Sequence, residues 1–283
     1  MKKVLITGEN SYVGNSFAEW VKDDSEIYVE KLSLRDGTWR NKNFSKFDVV
    51  LHVAGIAHQK ETKENEQLYY QVNRDITIKI AQMAKKDGVP HFVFLSSMSV
   101  YGMDMGVIDK NTDLNPKSYY GKSKFEAEKG LCTLESPTFK VAILRPPLIY
   151  GKGCKGNYVR LSKLAHKTLI FPKIANKRSM IYIDNLSMIV KKIILSHLSG
   201  LFFLQNKEYV STSEMVQLIA EKAERKILMT KLFNPLLKLL IRLFGTLRKV
   251  FGDLVYSEKL SWHEEFNDIK FIDFKTSIEL TEE

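Results

Sequence analysis

Short apolar runs alternate with segments of helical periodicity through the first half of the chain. The apolar runs at 4–7, 27–32, 49–53 and 91–96 are typical of buried strands, and 14–21 and 69–86 have the spacing of helices. Strands that alternate with helices at such intervals form βαβ units. The pattern therefore predicts an α/β fold with a doubly wound parallel sheet, whose ligand crevice lies at the carboxyl ends of the strands.

The turn between the first predicted strand and the first predicted helix carries two glycines, Gly8 and Gly14. A dinucleotide pyrophosphate binds backbone N–H groups at a helix N-terminus, and it needs glycine where a side chain would block its approach. Ser11 occupies the middle position of the GxxGxxG pattern, where it allows less close approach but adds a hydroxyl donor. This placement favours a dinucleotide site over an ordinary strand-to-helix turn.

The pattern changes after Pro147. Gly151, Gly153 and Gly156 mark a loop, and the chain beyond it is mostly helical and basic. Short strands are predicted at 140–144 before the loop and at 201–204 after it. We expect a Rossmann-type dinucleotide-binding domain over 1–150 and a smaller, mostly helical substrate lobe over 151–283, with chain crossings back to the sheet.

The composition is that of a folded protein, since 44% of the 283 residues are hydrophobic and 27% are charged. Lysine and arginine exceed aspartate and glutamate by 43 to 33, and the net charge of +10 attracts phosphorylated molecules. Because the basic residues are scattered, nucleic-acid binding is not expected. The two cysteines form no CxxC pair, so we expect a reducing cytoplasm and no metal site. The first apolar run is too short for an export signal, and no run of about 18 apolar residues occurs, so stable membrane insertion is not expected.

The end of the second predicted strand bears on the choice between NAD and NADP. An acidic side chain about 20 residues after the glycine motif binds the adenosine ribose 2′-hydroxyl, whereas an arginine accommodates a 2′-phosphate. Ser33 falls at this position, with Arg35 two residues on, which slightly favours NADP(H) over NAD. A register shift of a few residues would place Glu30 or Asp36 in the acidic role.

Tyr120 and Lys124 are four residues apart and therefore share a helix face. A lysine ammonium near a phenol lowers the phenol's pKa, so that it exchanges a proton with a substrate oxygen near neutral pH. Such pairs are also common on surface helices. Tyr119 lacks a lysine at this spacing, because Ser123 stands four residues after it. The predicted strand at 91–96 ends in a serine cluster, which either hydrogen-bonds the reacting oxygen or simply ends the strand.

Together with the segment from His52 to Gly55 and with Asn73, these motifs resemble those of the extended short-chain dehydrogenases/reductases. The resemblance is to the NAD-dependent epimerase/dehydratase branch that acts on nucleotide sugars, and it covers about two-thirds of the chain, over 4–185. It implies catalytic roles for Tyr120, Lys124 and Ser97, with the lysine also binding the nicotinamide ribose. The cofactor-binding candidates are Gly8, Ser11, Tyr12, Val13, Gly14, Ser33, Arg35, Ala54, Gly55, Asn73, Tyr120, Lys124 and Pro147.

Two later segments are similar to substrate-binding elements of that family. The run from Arg145 to Gly151 resembles an RxxNxYG strand and loop, although Leu148 stands where many members have asparagine. The run from Arg178 to Asn185 resembles an element whose arginine contacts the substrate diphosphate. Arginine and amide side chains suit diphosphate oxygens, and Arg160 also fits a solvated basic loop. The substrate-binding candidates are Ser99, Asn157, Arg160 and Arg178.

The resemblance implies an NAD(P)-dependent oxidoreductase or epimerase that transfers a hydride at a hexose ring carbon. We expect C4 of a UDP-sugar, in the synthesis of surface polysaccharide precursors, and a homodimer by analogy. Dehydration is disfavoured, because Met98 and Ser99 rather than an Asp-Glu pair follow Ser97. The pair Ser33 and Arg35 favours a 4-keto-sugar reductase, whereas the general resemblance favours a 4-epimerase. Both activities stay open. A non-catalytic dinucleotide-binding regulatory protein is the alternative outside enzymes.

The segment 232–254 is strongly apolar and carries four basic residues. Such a stretch suits helices that pack as a lid or dimer contact, and it also suits a helix that lies on an anionic membrane surface. Of the two we expect the packed arrangement. Pro235 and Gly245 predict at least one break in the helix.

Overall fold

The computed structural model describes residues 1–57, 59–261 and 263–283. Its strands are β1 (Lys2–Thr7), β2 (Ile27–Leu32), β3 (Val49–His52), β4 (His91–Leu95), β5 (Gly106–Ile108), β6 (Lys140–Leu144), β7 (Leu148–Tyr150), β8 (Ile170–Pro172), β9 (Met180–Tyr182), β10 (Gly200–Phe202), β11 (Leu228–Thr230) and β12 (Leu254–Tyr256). Its α-helices are α1 (Tyr12–Trp20), α2 (Glu66–Tyr70), α3 (Ile76–Lys86), α4 (Tyr119–Cys132), α5 (Asn157–Ala165), α6 (Ile183–Leu195), α7 (Thr212–Lys222), α8 (Asn234–Leu243), α9 (Gly245–Phe251), α10 (Glu258–Ser261) and α11 (Phe274–Thr281).

The chain forms two compact units, and each is assembled from separate stretches. Unit one comprises Met1–Gly102, Leu114–Pro146 and Leu186–Leu204. Unit two comprises Met103–Asp113, Pro147–Asn185 and Gln205–Glu283. The chain therefore crosses between the units several times.

Unit one is built on a six-stranded sheet in the order β10-β6-β4-β3-β1-β2, and every neighbouring pair is parallel. This arrangement confirms the predicted α/β fold. Val4, Leu5 and Ile6 of β1 are fully buried, as expected for a strand covered on both faces of a parallel sheet. The strand order reverses beside β1, which pairs with β2 on one side and β3 on the other. A ligand crevice forms outside the carboxyl ends of the strands at such a reversal.

The predicted strands at 27–32 and 140–144 occur with those bounds, and the other predicted strands of the sheet differ by one or two residues. The helix predicted over 69–86 is interrupted. Between α2 and α3 the backbone forms a π-helical turn, Gln71–Asp75. A π turn accommodates one extra residue within a helix and is frequent at functional sites.

Unit two contains three short parallel strand pairs, β5 with β12, β7 with β9 and β8 with β11. Each strand has three residues, too few to give a periodic signal, and the sequence did not predict these pairings. The apolar segment at 232–254 forms α8 and α9, with the predicted break at Phe244 (φ −113°, ψ 115°). Pro235 lies in the first turn of α8, where proline is tolerated. Among the described residues, no helix combines the length and the apolar character needed to cross a bilayer.

Candidate active site

The loop after β1 packs tightly against the loop after β3. Gly8 has a left-handed backbone (φ +96°), and a Cβ there would lie 2.8 Å from the Cα of Ala54. A Cβ on Gly14 would lie 2.6 Å from Ser11 Oγ and 2.9 Å from a side-chain carbon of Val53. Only glycine fits at either position, which is the requirement of a dinucleotide cradle.

Ser11 caps the N-terminus of α1. Its Oγ accepts a hydrogen bond from the Gly14 N–H at 2.9 Å, and its own N–H donates to the Gly8 carbonyl at 2.8 Å. Since the cap uses a lone pair, the hydroxyl hydrogen is left to donate. Tyr12 and Val13 form the first turn of α1 directly behind this loop. A helix N-terminus attracts phosphate through its amide groups and its dipole, so this part of unit one fits a pyrophosphate.

Ser33 directly follows β2, and the Gly8 N–H donates to the carbonyl of Leu32, the last residue of that strand, at 3.0 Å. The structure therefore places Ser33 beside the glycine loop. Glu30 is paired with Lys42 and Lys46, and hydrogen bonds from these lysines lower its pKa. A carboxylate that is paired with two lysines does not suit the binding of an adenosine ribose 2′-hydroxyl.

Arg35 is exposed, and its backbone N–H donates to the Ser33 Oγ at 3.4 Å. Asp36 is also exposed and accepts hydrogen bonds from Thr38. Arg35 is thus an exposed cation two residues from the residue that lies beside the glycine loop.

Asn73 lies in the π-helical turn and joins the loop after β3 to α4. Its Oδ1 accepts from the Ile56 N–H at 2.8 Å, and its Nδ2 donates to the Ile56 carbonyl and to the Ser123 Oγ, each at 3.1 Å. The Ser123 hydroxyl donates to the Tyr120 carbonyl at 3.0 Å. A Cβ on Gly55 would come within 3.0 Å of the Asn73 Oδ1. Asn73 therefore fixes the loop that contains Ala54 and Gly55.

A buried histidine continues this hydrogen-bonded chain toward β1. The His52 ring joins Thr7 Oγ1 (2.7 Å) to Thr77 Oγ1 (2.9 Å), and the Thr77 hydroxyl donates to the Asn73 carbonyl (2.8 Å). The Thr77 hydroxyl has one hydrogen and donates it to the Asn73 carbonyl. The His52 Nε2–H is therefore the donor to Thr77, and Nδ1 accepts from Thr7. Burial, with the charge of Lys124, lowers the pKa of His52 to about 3, so the ring is neutral.

Tyr120 and Ser97 meet at the carboxyl end of β4. The Ser97 side chain acts on the Tyr120 phenol and opposes the rise that burial causes in its pKa. The Ser97 Oγ also donates to the Ser99 Oγ and accepts from the Ser99 N–H, each at 3.1 Å. Tyr119 differs, because burial and the charge of the Glu66 carboxylate raise its pKa and Ser97 does not act on it. Unit one thus brings together Ser97, Ser99 and Tyr120 but not Tyr119.

Lys124 lies one turn after Tyr120 and is only 3% exposed. Its Nζ donates to the Leu95 carbonyl at 2.8 Å and lies 4.6 Å from the centroid of the Phe94 ring. Burial lowers the pKa of Lys124 to about 7, against the opposing charge of Glu128. The sequence-based expectation that Lys124 lowers the pKa of Tyr120 does not hold in this structure, because burial dominates at the phenol and the lysine carries only part of a charge near neutral pH.

The start of α4 is held by a carboxylate that the sequence analysis missed. Glu61 accepts from the Tyr119 N–H through Oε2 and from the Tyr120 N–H through Oε1, each at 2.9 Å. A negative charge at a helix N-terminus is stabilising. Gly121 lets the helix approach the serine turn, since a Cβ there would lie 2.6 Å from the Ser99 carbonyl oxygen. No local signal marks Glu61, which is 59 residues from Tyr120 in the chain.

A buried ion pair lies behind the serine turn and was also missed. Arg145 donates to both carboxylate oxygens of Glu128, at 3.0 and 2.6 Å, and to the Tyr101 hydroxyl at 2.9 Å. The Ser96 hydroxyl donates to Glu128. This network links β4, α4 and β6. The only sequence signal was the spacing of Glu128 from Lys124, four residues on the same helix face.

The other candidates belong to unit two. Pro147 is half-buried just before β7, and Asn157 and Arg160 are exposed on one face of the first turn of α5. Arg178 donates through Nη1 to the Gly252 carbonyl at 2.9 Å, and burial lowers its pKa while nearby aspartates oppose this. Part of the Arg178 guanidinium is therefore committed to closing the end of α9.

A glycine cradle at the strand-order reversal, with a serine, a tyrosine and a buried lysine in the same unit, is the arrangement of a dinucleotide-dependent enzyme. Residues 4–195 match the family described as NAD dependent epimerase/dehydratase. The chain belongs to this family, and its cofactor is of the nicotinamide dinucleotide class.

Curated relatives support this membership. A UDP-glucose 4-epimerase of Vibrio cholerae is 32% identical over 248 residues, which are 77% of this chain and 75% of that protein. An N-acetyl-α-D-glucosaminyl-diphospho-ditrans,octacis-undecaprenol 4-epimerase of Escherichia coli O157:H7 is 28% identical over 269 residues, covering 88% of this chain and 81% of that protein.

Solved structures show the same fold. The UDP-glucuronic acid 4-epimerase of Bacillus cereus in complex with NAD aligns with a TM-score of 0.75 at 18% identity, over 99% of this chain and 97% of that one. The dTDP-4-dehydrorhamnose reductase of Bacillus anthracis in complex with NADP aligns with a TM-score of 0.65 at 22% identity, over 82% and 85% of the two chains.

Proposed function

We propose that this protein is a 4-epimerase of a UDP-linked hexose, acting in the cytoplasm in the synthesis of surface polysaccharide precursors. The observation that carries the proposal is the position of Lys124, buried one turn after Tyr120 on α4, with the Ser97 side chain lowering the pKa of the Tyr120 phenol. The named 4-epimerases among the relatives support the choice of C4.

Tyr120 exchanges the proton of the substrate C4 oxygen, and Ser97 orients that oxygen through its hydroxyl. The Leu95 carbonyl and the Phe94 ring hold Lys124 in place. Because its pKa is about 7, the amine of Lys124 gains and loses a proton near neutral pH. Gly8, Ser11 and Gly14 would hold the pyrophosphate of the dinucleotide, and Gly55 and Asn73 the loop beside it. When bound, the nicotinamide supplies the site that accepts and returns the hydride.

We assign the substrate contacts to Ser99, Asn157, Arg160 and Arg178. An arginine fork and an amide together satisfy diphosphate oxygens by charge and by hydrogen bonding. Met98 and Ser99 follow Ser97 in place of two carboxylates, so the residues after the serine do not supply the acid and base of a dehydration.

A 4-keto-sugar reductase is the second candidate, because Ser33 adjoins the glycine loop and Arg35 is an exposed cation two residues on. A 2′-phosphate is compatible with this pair, and the Glu30 carboxylate, one candidate for binding a ribose 2′-hydroxyl, is engaged by Lys42 and Lys46. This arrangement favours NADP(H), which suits net reduction.

The test is to incubate the protein with UDP-glucose or UDP-N-acetylglucosamine and NAD, and separately with a 4-keto-6-deoxy UDP-sugar and NADPH or NADH. Conversion of the first substrates to their C4 epimers without net cofactor use, detected by proton NMR, is the expected result. Consumption of reduced cofactor only with the keto-sugar would replace the epimerase by the reductase. If neither reaction occurs and the Tyr120→Phe protein binds dinucleotide as the wild type does, the non-catalytic alternative gains support.

A further inference from the structure

Helix α8 in unit two presents a second apolar face that the fold does not cover. Leu236, Leu239 and Leu243 are 58%, 55% and 66% exposed. Their spacing of three and four residues places them on one side of the helix. Ile241 lies on the opposite side and is only 7% exposed, so it forms the buried, inward face of α8.

The exposed face continues beyond both ends of the helix. We define the α8 surface as Leu232, Phe233, Leu236, Leu239, Leu243 and Phe244, all of which are exposed. The helix begins beside the β8–β11 pair, since the Asn234 Nδ2 donates to the Lys173 carbonyl at 2.8 Å. That pair exposes Ile170 and Leu228, which are partners in its register. Contiguous exposed apolar patches of this kind mark binding surfaces.

Along the sequence, the charges around α8 have one sign, and Lys249 in this stretch lies 3.9 Å from the Asp104 carboxylate. Between Glu224 and Asp253 the sequence contains seven lysines and arginines and no aspartate or glutamate. Lys238 and Arg242 are exposed on α8 itself and lie together along one side of the leucine stripe. A second copy of this chain on the same surface would bring the Lys238 and Arg242 cations of both copies together, and that repulsion disfavours a symmetric dimer.

An anionic lipid surface satisfies both features. Leucine and phenylalanine side chains partition into the boundary between headgroups and acyl chains, and lysine and arginine bind the lipid phosphates. With 10 residues, α8 is half the length of a membrane-spanning helix, so it suits a helix that lies parallel to the membrane. We propose that the α8 surface docks this protein onto an anionic bilayer.

The test uses the full-length protein and sucrose-loaded vesicles of phosphatidylcholine, with or without phosphatidylglycerol. The protein should sediment with the phosphatidylglycerol vesicles and be released as the salt concentration rises. Leu236→Ser/Leu239→Ser/Leu243→Ser should lower the partition coefficient by about tenfold or more, and so should Lys238→Glu/Arg242→Glu. The matched control is Lys79→Glu/Lys86→Glu on α3, which changes the net charge by the same amount at exposed positions and should retain binding within about twofold.

A second measurement reports on insertion of the helix. In a Cys132→Ser background, which removes the exposed native thiol, an environment-sensitive dye on Leu239→Cys should shift its emission to the blue when phosphatidylglycerol vesicles are added. The same dye on Tyr28→Cys, at an exposed position in unit one, should not shift.

Three outcomes would overturn the proposal. One is a wild-type protein that does not bind phosphatidylglycerol vesicles. Another is a leucine variant that binds as tightly as the wild type. The third is a leucine variant that changes the sedimentation coefficient from dimer to monomer and leaves vesicle binding intact, which would make the α8 surface a subunit interface. Because vesicle binding is measured without substrate, none of these outcomes affects the epimerase proposal.

Discussion

The active-site end of the sheet in unit one buries polar groups, whereas α8 in unit two exposes apolar ones. His52, Asn73 and Lys124 are almost fully buried, and each makes hydrogen bonds. Leu236 and Leu239 are more than half exposed. A buried polar group is tolerated only with its partners in place, so it enforces one geometry. An exposed leucine enforces no geometry and gains free energy only against another apolar phase. Both departures from the ordinary distribution of residues therefore indicate function. The buried polar groups fix one geometry at the site, and the exposed leucines form a surface that can bind an apolar phase.

The largest expected effect tests whether geometry at the buried end determines activity. Tyr120→Phe should lower kcat by about 10³-fold, because in the proposed mechanism the phenol exchanges the proton. Tyr119→Phe is the matched control, since it removes a neighbouring hydroxyl whose pKa responds to Glu66 and not to Ser97, and it should change kcat by less than about threefold. Equal losses in the two variants would contradict the assignment of Tyr120.

The next effect concerns stability. Arg145→Met should lower the free energy of unfolding by about 3–5 kcal/mol, because it leaves the Glu128 carboxylate, whose side chain is 5% exposed, without its cation. Arg74→Met breaks a pair with Glu126, whose side chain is 36% exposed, and should cost about 1 kcal/mol or less. Urea unfolding followed by circular dichroism measures both. If Arg145→Met lowered the free energy of unfolding no more than Arg74→Met does, the buried ion pair would not differ from the exposed one in its contribution to stability.

The buried histidine predicts a pH dependence. The pKa of His52 is lowered to about 3 in the folded protein, whereas an unfolded histidine takes up its proton near its ordinary value of about 6.5. Stability is therefore lost as the pH falls below about 6.5, and the loss continues toward pH 3. His52→Gln keeps a donor and an acceptor but does not titrate. It should reduce the slope of the unfolding free energy by about 1 kcal/mol per pH unit between pH 6 and 4. Parallel curves for the two proteins would show that His52 is protonated in the fold.

The smallest expected effect lies at an exposed charge. Arg35→Ala should raise the KM for NADPH relative to that for NADH by about fivefold, since an exposed ion pair contributes about 1 kcal/mol. Lys22→Ala, at the exposed end of α1, should leave this ratio unchanged. An unchanged ratio for Arg35→Ala as well would favour NAD and strengthen the epimerase over the reductase.

Local patterns predicted the sheet and the approximate positions of its loops, because strand and helix periods are properties of adjacent residues. The bounds of β2 and β6 and the positions of Gly8 and Tyr120 followed directly. The partners of these residues were not predictable in the same way. Glu61 and Glu128 act across 59 and 17 residues of chain, and only the folded backbone brings them to Tyr120 and Arg145. The exposure of α8 was also hidden, since a leucine-rich helix looks the same in sequence whether one face or two are covered.

The π-helical turn at Asn73 makes the candidate active site sensitive to the deletion of a single residue between α2 and α3. An extra residue in the helical run is what turns Asn73 toward Ile56 and Ser123. Loss of one codon between α2 and α3 would remove the residue that the π turn absorbs and restore regular α-helix, with the residues on either side still in phase and without the turn that positions Asn73. The helix would survive such an event and the clamp on the cofactor loop would not. In this part of the chain an in-frame deletion is therefore a more severe change than most substitutions.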